Sequence, residues 1–485
     1  MAEIILIYPT TTLDKKGYSI GLPLSILNLA TFLYKKYSIK IIDQRIDRKW
    51  KLTLKNELKK ERPICVGISA MTGVQIYFAL KAAKIVRKVS PKTTLVFGGV
   101  HPTLLPEQTI QNKYVDIIIL GEGEKSFSEL VECLKNNKPI DDIKGVCFKK
   151  NEKIRINPPS FIDLNEMPGS PYELINIKNY FLNLYTTRKA LSLVTGKGCP
   201  HRCAFCYNVL FNRRIWRQLD EKRMIKEIKI LKKFGAESID IIDDNFFTNL
   251  KRVDRFIRLL EKEKLNLKFV INCRADYIIR MGADLLKKLY EVGFHEFYVG
   301  CESGSDRILK LIKKDITVDQ ILKANRILKE TGIRPIYSFI AGFPGETRED
   351  IRKTLNLMMK LIKEDANASL TQLKVFTPFP GTELFDICLK HGLKPPKTFE
   401  DWSNFYYNSA SYEWRSKKDR KFLEKLSYIT SFLDQKTISW HLGKTPIDRV
   451  LIKMYSKIAR FRCKYNFYFF TPEVSLMKIV KKYIH

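Results

Sequence analysis

The sequence lacks the long apolar runs that membrane-spanning helices require. No stretch of its 485 residues approaches the roughly eighteen consecutive apolar residues of such a helix, and no charged-then-apolar signal segment opens the chain. Its 10 cysteines are too dispersed for a disulfide framework. These absences predict a cytoplasmic protein in a reducing compartment, with enough residues for about two or three domains.

Acidic residues are also scarce. The chain has 52 of them against 86 lysines and arginines, which gives a formal net charge of +34. Such an excess fits an anionic membrane surface, an acidic substrate or nucleic acid. It also fits a general enrichment in lysine, because lysines lie on nearly every predicted helix face. Nucleic acid is the least favoured partner, because no RNA-binding module and no second cysteine triad accompany the charge.

Three cysteines, Cys199, Cys203 and Cys206, lie within eight residues of one another after an apolar run. Structural zinc usually takes two separated pairs of cysteines, and this chain has no second C-x-x-C pair. Three thiolates without a fourth instead predict an iron–sulfur cluster with one iron open to another ligand. The alternative is that the cysteines are buried under a loop, as ordinary core or as the remains of a zinc site.

The first 140 residues alternate short apolar runs with amphipathic helical patterns. The apolar runs cover residues 4–8, 39–42, 64–69, 94–97 and 115–120. The helical patterns cover residues 22–37, 74–89 and 124–134. This alternation predicts a parallel sheet covered by helices, a flavodoxin-like or Rossmann-like domain over residues 1–140. Its strand ends are rich in glycine, serine and threonine, which allow a ligand to approach the backbone.

The rest of the chain predicts three further regions. Prolines cluster and the periodicity weakens in residues 141–188, which is typical of a surface linker. Six strand–turn–helix units in residues 189–390 predict a partial (β/α)6 TIM barrel, whose chemistry gathers at the C-terminal ends of the strands. Those ends lie near residues 195–196, 241–242, 270–272, 298–300, 337–341 and 374–377. Helical patterns without strands in residues 391–485 predict a small, basic α-helical cap.

The C-x3-C-x2-C spacing, with Phe205 directly before the last cysteine, resembles the radical SAM superfamily. In that family the cysteines hold a [4Fe–4S] cluster whose open iron binds S-adenosyl-L-methionine, and an electron from the cluster yields a 5′-deoxyadenosyl radical. The resemblance therefore implies both cofactors, with Cys199, Cys203 and Cys206 as the metal ligands. It also implies a reducing partner such as ferredoxin or flavodoxin, and it places Phe205 near the adenine.

The ends of the predicted barrel strands follow the order of the superfamily's S-adenosylmethionine motifs. Asp243 and Asp244 fall where the family binds the methionyl ammonium, for which carboxylates are the chemical complement. Arg274 is expected at the methionyl carboxylate, because its planar fork suits that group. Taken singly, each carboxylate also fits an ordinary N-cap or a salt bridge.

The other motif residues lie at the fourth and fifth strand ends. Glu302 and Ser303 fall at the position associated with the ribose hydroxyls and the methionyl group, and Ile340 and Gly342 fall where the family's fifth strand runs beside adenine. We single out no catalytic acid or base, because radical chemistry depends on proximity and on exclusion of water.

The first domain resembles the cobalamin-binding domain that precedes the radical SAM domain in one large subfamily. Ser69 and Met71 resemble its S-x-L element, and Gly98 and Gly99 resemble the glycine pair against which the nucleotide tail of cobalamin packs. The usual D-x-H-x-x-G motif, whose histidine ligates cobalt, is missing. His101 is the nearest histidine, and we expect it to be a turn residue that hydrogen-bonds backbone. The alternative is a degenerate domain that binds no ligand.

The resemblance implies a cobalamin-dependent radical SAM enzyme. It would abstract hydrogen from an unactivated carbon of a small-molecule or lipid substrate and transfer a methyl group to that carbon. Relatives with this layout also close rings, as anaerobic magnesium-protoporphyrin monomethyl ester cyclases do, insert oxygen or modify lipids, so these reactions stay open. A third alternative is a non-catalytic cobalamin or redox sensor whose cluster is structural.

Residues 447–464 have the pattern of a basic amphipathic helix. Its apolar side chains at helical spacing are Leu451, Met454, Tyr455, Ile458 and Phe461. The basic side chains of the opposite face are Lys453, Lys457, Arg460 and Lys464. We expect this helix to pack its apolar stripe on the barrel, and the alternative is peripheral contact with an anionic membrane.

Overall fold

A computed structural model describes residues 2–11, 20–184, 187–406, 408–409, 412–442, 445–472 and 474. The first sheet has seven strands in the order β2-β1-β3-β4-β5-β6-β7. They are β1 (Ile4–Tyr8), β2 (Ile39–Asp43), β3 (Cys65–Ser69), β4 (Thr94–Gly98), β5 (Ile117–Ile119), β6 (Val146–Lys150) and β7 (Lys153–Ile156). The first five are parallel and confirm the predicted flavodoxin-like sheet.

Within the described part of the first domain, six helices flank this sheet. They are α1 (Leu24–Ala30), α2 (Trp50–Lys60), α3 (Val74–Val89), α4 (Val100–Leu104), α5 (Pro106–Ile110) and α6 (Glu124–Lys135). Helix α2 was not predicted, although its buried residues Trp50, Leu54 and Leu58 recur every four positions. The helix predicted over 22–37 was too long, because α1 gives way to turns after Ala30.

Strands β6 and β7 form an antiparallel hairpin that extends the first sheet beyond β5. They lie inside the region where we predicted only a surface linker. Their signal was weak, because β7 is short and largely exposed and therefore shows no clear apolar alternation. Tyr180, in the same region, donates a hydrogen bond to buried Asp43 at 3.1 Å, so this segment packs against the first domain.

The second half of the chain forms a curved sheet with the predicted half-barrel topology, ordered β16-β15-β14-β13-β12-β9-β8, with β17 beside β15. These strands are β8 (Leu182–Leu184), β9 (Thr187–Leu193), β12 (Ser238–Ile241), β13 (Lys268–Cys273), β14 (Phe294–Glu302), β15 (Arg334–Ala341), β16 (Ser369–Leu370) and β17 (Lys374–Val375). Within the described part of this sheet, neighbouring strands are parallel, except that β8 runs antiparallel to β9. A separate ribbon pairs β10 (Gly196–Lys197) with β11 (Arg217–Gln218).

The remaining helices follow the half-barrel strands and continue into the C-terminal region. They are α7 (Asn208–Phe211), α8 (Glu221–Lys233), α9 (Leu250–Glu263), α10 (Ala275–Glu291), α11 (Asp306–Leu311), α12 (Val318–Lys329), α13 (Arg348–Glu364), α14 (Glu383–Lys390), α15 (Lys417–Thr430), α16 (Gln435–Leu442) and α17 (Pro446–Tyr465). Aromatic rings fill part of the half-barrel core, where Phe269 stacks on Phe294 with centroids 4.8 Å apart.

The C-terminal region packs on both halves of the molecule. Trp402 donates its indole N–H to Gln108 of α5 at 2.6 Å. The Arg415 guanidinium donates to the carbonyl oxygens of Gly342 at 2.7 Å and Phe376 at 2.8 Å. This region therefore joins the first domain to the end of the half-barrel.

Helix α17 does not pack as predicted. Its buried side chains include Ile452, Ser456, Ala459 and Cys463, whereas most of the predicted apolar stripe is exposed. The small side chains of Ser456 and Ala459 allow close contact with α13 and α16. The helix therefore packs on the protein through the face that carries its smaller residues. Among the described helices, none is long and apolar enough to cross a membrane.

Candidate functional site

One cavity lies between the carboxyl edge of the first sheet and the cysteine loop of the half-barrel. Its volume is about 460 Å³. Ser69, Met71 and Gly98 line it from the first domain, and Asp244 and Tyr207 line it from the second. Tyr207 directly follows the last cysteine of the triad. Of the residues predicted for cofactors, this space is lined by Asp244 of the second domain and by Ser69, Met71, Gly98 and Gly99 of the first. The cysteine loop borders it through Tyr207, and within the described residues the three cysteines themselves are not part of the lining.

Glycines form much of the cavity wall: Gly67, Gly98, Gly99, Gly121, Gly123 and Gly196. Gly99 has φ +101°, and a Cβ there would lie 2.9 Å from the carbonyl oxygen of Ala70. A larger residue at this position would therefore be strained. The open backbone edge lies at the β1/β3 switch of the sheet, where flavodoxin-like domains bind ligands. This wall fits a large ligand such as cobalamin.

His101 takes no part in the cavity. It lies in α4, fully buried, with Nδ1 2.9 Å from the Thr72 hydroxyl and with its ring against Phe399 and Trp402. The expectation of a turn residue that hydrogen-bonds backbone is therefore wrong. Burial lowers the pKa of His101 to about 3, so the ring is neutral. Within the described residues no histidine lines the cavity; the stretch that replaces the D-x-H-x-x-G motif lies largely in 12–19, outside them.

The cysteine loop leaves β10 through Gly198, which has φ +86°. The backbone N–H of Ala204 donates to the Ile312 carbonyl at 2.9 Å and anchors the loop to the half-barrel. Burial raises the pKa of Cys199, and it raises the pKa of Cys206 to about 12. Thiolates at these positions therefore require a bound cation, as an iron–sulfur cluster provides.

Polar groups from neighbouring strand ends point at the cysteine sulfurs. The Asn245 amide nitrogen lies 3.7 Å from Cys199 Sγ, and Arg274 Nη1 lies 3.9 Å from Cys203 Sγ. Such donors favour thiolate over thiol. No three acidic, histidine or cysteine side chains of the described chain converge tightly enough for a single metal ion. A cubane cluster does not need that convergence, because each cysteine binds a different iron.

The two carboxylates that follow β12 have different environments. Asp243 is buried and accepts hydrogen bonds from the backbone N–H and the hydroxyl of Thr195, both at 2.6 Å. Burial raises its pKa to about 6. Asp244 is exposed, lines the cavity and accepts a hydrogen bond from the Gly198 N–H at 2.8 Å. Asp243 thus fixes the end of β12 to the end of β9, while Asp244 faces the ligand space.

The guanidinium of Arg274 is already partnered. It contacts Asp276 at 2.9 and 3.3 Å and donates to the Lys314 carbonyl at 2.7 Å. Its third nitrogen, Nη1, lies 3.9 Å from Cys203 Sγ. The arrangement places Arg274 beside the cluster loop, and contact with the methionyl carboxylate stays a prediction.

Glu302 and Lys314 form a buried ion pair at the end of β14, with Nζ and Oε1 2.7 Å apart. Glu302 adopts φ +65° at a register shift between β14 and β15. The sequence analysis missed Lys314, because it lies in a run of charged residues that resembles an ordinary solvated turn. Ser303 is fully buried, and its hydroxyl lies 3.3 Å from that of Thr354. Their roles toward ribose stay predictions.

The fifth strand end meets the C-terminal region. Gly342 has φ +87°, and a Cβ there would lie 2.8 Å from Leu423 Cδ1. Its N–H donates to the Glu346 carboxylate, whose pKa burial raises to about 7. Phe205 packs on Phe343 with centroids 6.0 Å apart, and Ile340 is partly buried in β15. The structure therefore gathers the residues predicted for adenine near the same strand end.

Four charged side chains join the two domains beside the cavity. Lys197 contacts Glu124 at 2.6 Å and Glu122 at 3.7 Å. Arg217 donates to the two carboxylate oxygens of Glu122 through Nη1 at 2.5 Å and Nη2 at 2.7 Å. Both glutamates are buried, and within the described chain nothing donates to Glu124 Oε2. The sequence predicts only that this strand end, at residues 120–124, is rich in glycine, because the ionic partners of Glu122 and Glu124 lie far away along the chain.

Comparisons with known proteins agree with this geometry. The sequence profile of the radical SAM superfamily matches residues 193–358, and that of the B12 binding domain matches residues 12–131. The chain is 30% identical over 442 residues to an uncharacterised methyltransferase of Pyrococcus horikoshii, covering 90% of this chain and 94% of that protein. It is 28% identical over 341 residues to an anaerobic magnesium-protoporphyrin IX monomethyl ester cyclase of Cereibacter sphaeroides, covering 68% of this chain and 54% of that protein.

A solved structure shares the whole fold. The cobalamin-dependent S-adenosylmethionine radical enzyme OxsB, with aqua-cobalamin and S-adenosylmethionine bound, matches with a TM-score of 0.77 at 17% identity. The match covers 100% of this chain and 75% of OxsB. Both domain profiles and the near-full-length relative lead to the same assignment. The chain belongs to the radical SAM enzymes that carry a cobalamin-binding domain, with a [4Fe–4S] cluster, S-adenosylmethionine and cobalamin as cofactors.

Proposed function

We propose that this enzyme removes a hydrogen atom from an unactivated carbon of its substrate and transfers a methyl group to that carbon. One observation carries the proposal: a single cavity is lined by the predicted cobalamin residues and by the loop that holds the cysteine triad. When bound, the cluster and S-adenosylmethionine supply the radical, and cobalamin supplies the methyl group. Similarity to an uncharacterised methyltransferase over 90% of this chain supports methyl transfer.

In this scheme, the chain's own residues bind and orient the cofactors. Asp244 offers a negative charge toward the cavity for the methionyl ammonium. Glu124 lines the same cavity, where Lys197 holds its carboxylate in place. The apolar side chains of the lining exclude water, which protects a carbon radical from unwanted reactions.

Ring closure without methyl transfer is a second candidate. The similarity to a magnesium-protoporphyrin cyclase, which covers 68% of this chain, favours it. That relative also has a large part that this chain does not match, since the alignment covers 54% of it. Methyl transfer is therefore the preferred proposal.

The proposal includes two partners. The substrate is a small molecule or a lipid, and a ferredoxin or flavodoxin supplies the electron. Contact with a membrane is a separate proposal, because it concerns α17 rather than this cavity.

The products of S-adenosylmethionine distinguish the candidates. Anaerobic, reduced enzyme carrying cluster and cobalamin should form both 5′-deoxyadenosine, from radical cleavage, and S-adenosylhomocysteine, from methylation of cobalamin. Enzyme reconstituted without cobalamin should form only the first. If the loaded enzyme forms 5′-deoxyadenosine but never S-adenosylhomocysteine, methyl transfer is wrong and ring closure is favoured.

The two neighbouring carboxylates should respond differently to substitution. Asp244→Asn keeps an acceptor for the Gly198 N–H but removes the charge, so binding of S-adenosylmethionine by equilibrium dialysis should weaken about ten-fold without loss of stability. Asp243→Ala leaves two buried Thr195 donors unpaired and should lower the free energy of unfolding by about 2 to 4 kcal/mol in urea. Equal cofactor binding by Asp244→Asn and wild type would show that the ammonium binds elsewhere.

A further inference from the structure

We propose that the outward face of α17 lies on an anionic membrane surface. Seven apolar side chains form this face, which we call the α17 stripe: Ile447, Val450, Leu451, Met454, Ile458, Phe461 and Tyr465. Each is between 41% and 71% exposed. A contiguous apolar face of this size is unusual on a soluble monomer and indicates a partner.

The helical period shows that the α17 stripe faces away from the protein. The buried residues Ile452, Ser456, Ala459 and Cys463 recur at intervals of four, three and four. At about 3.6 residues per turn, they and the stripe lie on opposite sides of the helix. The protein side of α17 contacts α13 and α16, and the exposed side is the one rich in large apolar groups.

Charge identifies the partner. Exposed Lys453, Lys457 and Lys464 follow one edge of the α17 stripe, and Asp448 is the only acidic residue of the helix. Beyond its C-terminal end, Phe467, Phe469 and Phe470 are 46%, 93% and 65% exposed. An apolar face bordered by lysines and followed by aromatic residues is typical of helices that lie in the plane of a membrane surface.

The geometry of α17 suits a helix lying flat. Its 20 residues span about 30 Å, and its packing leaves the stripe accessible along that length. A second copy of the chain is a less favourable partner, because each chain carries a formal net charge of +34 and two copies repel each other. Anionic lipid headgroups instead attract the lysine edge while the acyl region receives the stripe.

Vesicle co-sedimentation of the full-length protein tests this proposal. Wild type should bind vesicles of phosphatidylcholine with phosphatidylglycerol and should bind pure phosphatidylcholine at least about a hundred-fold more weakly. Exchanging Lys453, Lys457 and Lys464 together for Gln should weaken binding to the anionic vesicles roughly a hundred-fold. Exchanging Leu451, Met454 and Ile458 together for Ser should weaken it at least about ten-fold. All six positions are exposed, and thermal unfolding will verify that the variants fold.

A matched control removes the same charge elsewhere. Lys51, Lys55 and Lys59 are exposed on α2 of the first domain, and their joint exchange for Gln should change binding less than about three-fold. If the α2 variant lost as much vesicle binding as the α17 lysine variant, net charge alone would explain the binding. That result would overturn the proposal. Absence of vesicle binding would also overturn it, as would self-association that depends on the α17 stripe, measured by sedimentation velocity. The proposal does not depend on the reaction, so either result leaves the proposed function untouched.

Discussion

Alanine at Cys199, Cys203 or Cys206 is expected to yield a folded chain that binds almost no iron and forms no 5′-deoxyadenosine. The loop has only these three cysteines to offer a cluster, and burial keeps Cys199 and Cys206 protonated unless a bound cation displaces their protons to solvent. Losing one ligand therefore removes the cluster rather than weakening it. Iron content and charge-transfer absorbance after anaerobic reconstitution measure the effect.

The control for this prediction is Cys133→Ala. Cys133 is partly exposed in α6 of the first domain and belongs to no cluster motif, so this variant should keep full iron content and turnover. If a triad variant also keeps its iron, the cluster is held by other ligands and the assigned site is wrong.

Lys197→Met is expected to destabilise the protein by about 3 kcal/mol or more in urea unfolding. Only 19% of the lysine side chain and 8% of its partner Glu124 are exposed, so the substitution leaves a buried carboxylate without its cation. The same interaction lies between the first domain and the cysteine loop. We therefore also expect weaker cobalamin binding, since one wall of the cavity would lose its fixed position.

The pH dependence of Lys197→Met follows from Glu124. Burial alone would raise the pKa of Glu124, but Lys197, together with a backbone hydrogen bond and Arg217, outweighs burial and holds it below its ordinary value. Because folding lowers this pKa, the ionised Glu124 stabilises the wild type at pH values above the unfolded-state pKa of about 4.5. This contribution is lost as the pH falls through the folded-state pKa. In Lys197→Met, burial instead favours the protonated carboxyl. The stability difference between the two proteins should therefore shrink as the pH falls.

Two further variants isolate the ion pair. Adding Glu124→Gln to Lys197→Met removes the unpaired charge and should recover part of the lost stability. Lys189→Met breaks a pair with Glu237 in which the side chains are 55% and 57% exposed, and it should cost less than about 1 kcal/mol. A cost for Lys197→Met as small as that of Lys189→Met would mean that the interdomain pair is not an important contact.

The features that sequence predicted are those with local causes. The parallel strands of the first sheet show continuous apolar runs, as in β1, because both of their faces are buried. The cysteine triad has a fixed spacing, and the strand ends of the half-barrel follow it in a recognisable order. Each of these signals is contained in a few consecutive residues, so no tertiary structure is needed to detect it.

The features that sequence missed depend on residues far apart in the chain. Lys197 and Glu124 are 73 positions apart, and each alone looks like an ordinary surface charge. His101 became a core residue because Phe399 and Trp402 cover it from the C-terminal region. The amphipathic pattern of α17 was detected correctly, but its orientation was not, since hydrophobic periodicity cannot tell which side of a helix the protein occupies.

The central claim is that cobalamin binds in the cavity between the two domains, beside the loop that holds the [4Fe–4S] cluster. Its most direct test is anaerobic reconstitution of the full chain with iron, sulfide and hydroxocobalamin, followed by desalting, a visible spectrum and iron analysis. The account predicts one bound cobalamin and about four irons per chain. Four irons without cobalamin would contradict it, because the glycine wall of the first domain would then bind no cofactor and methyl transfer would have no donor.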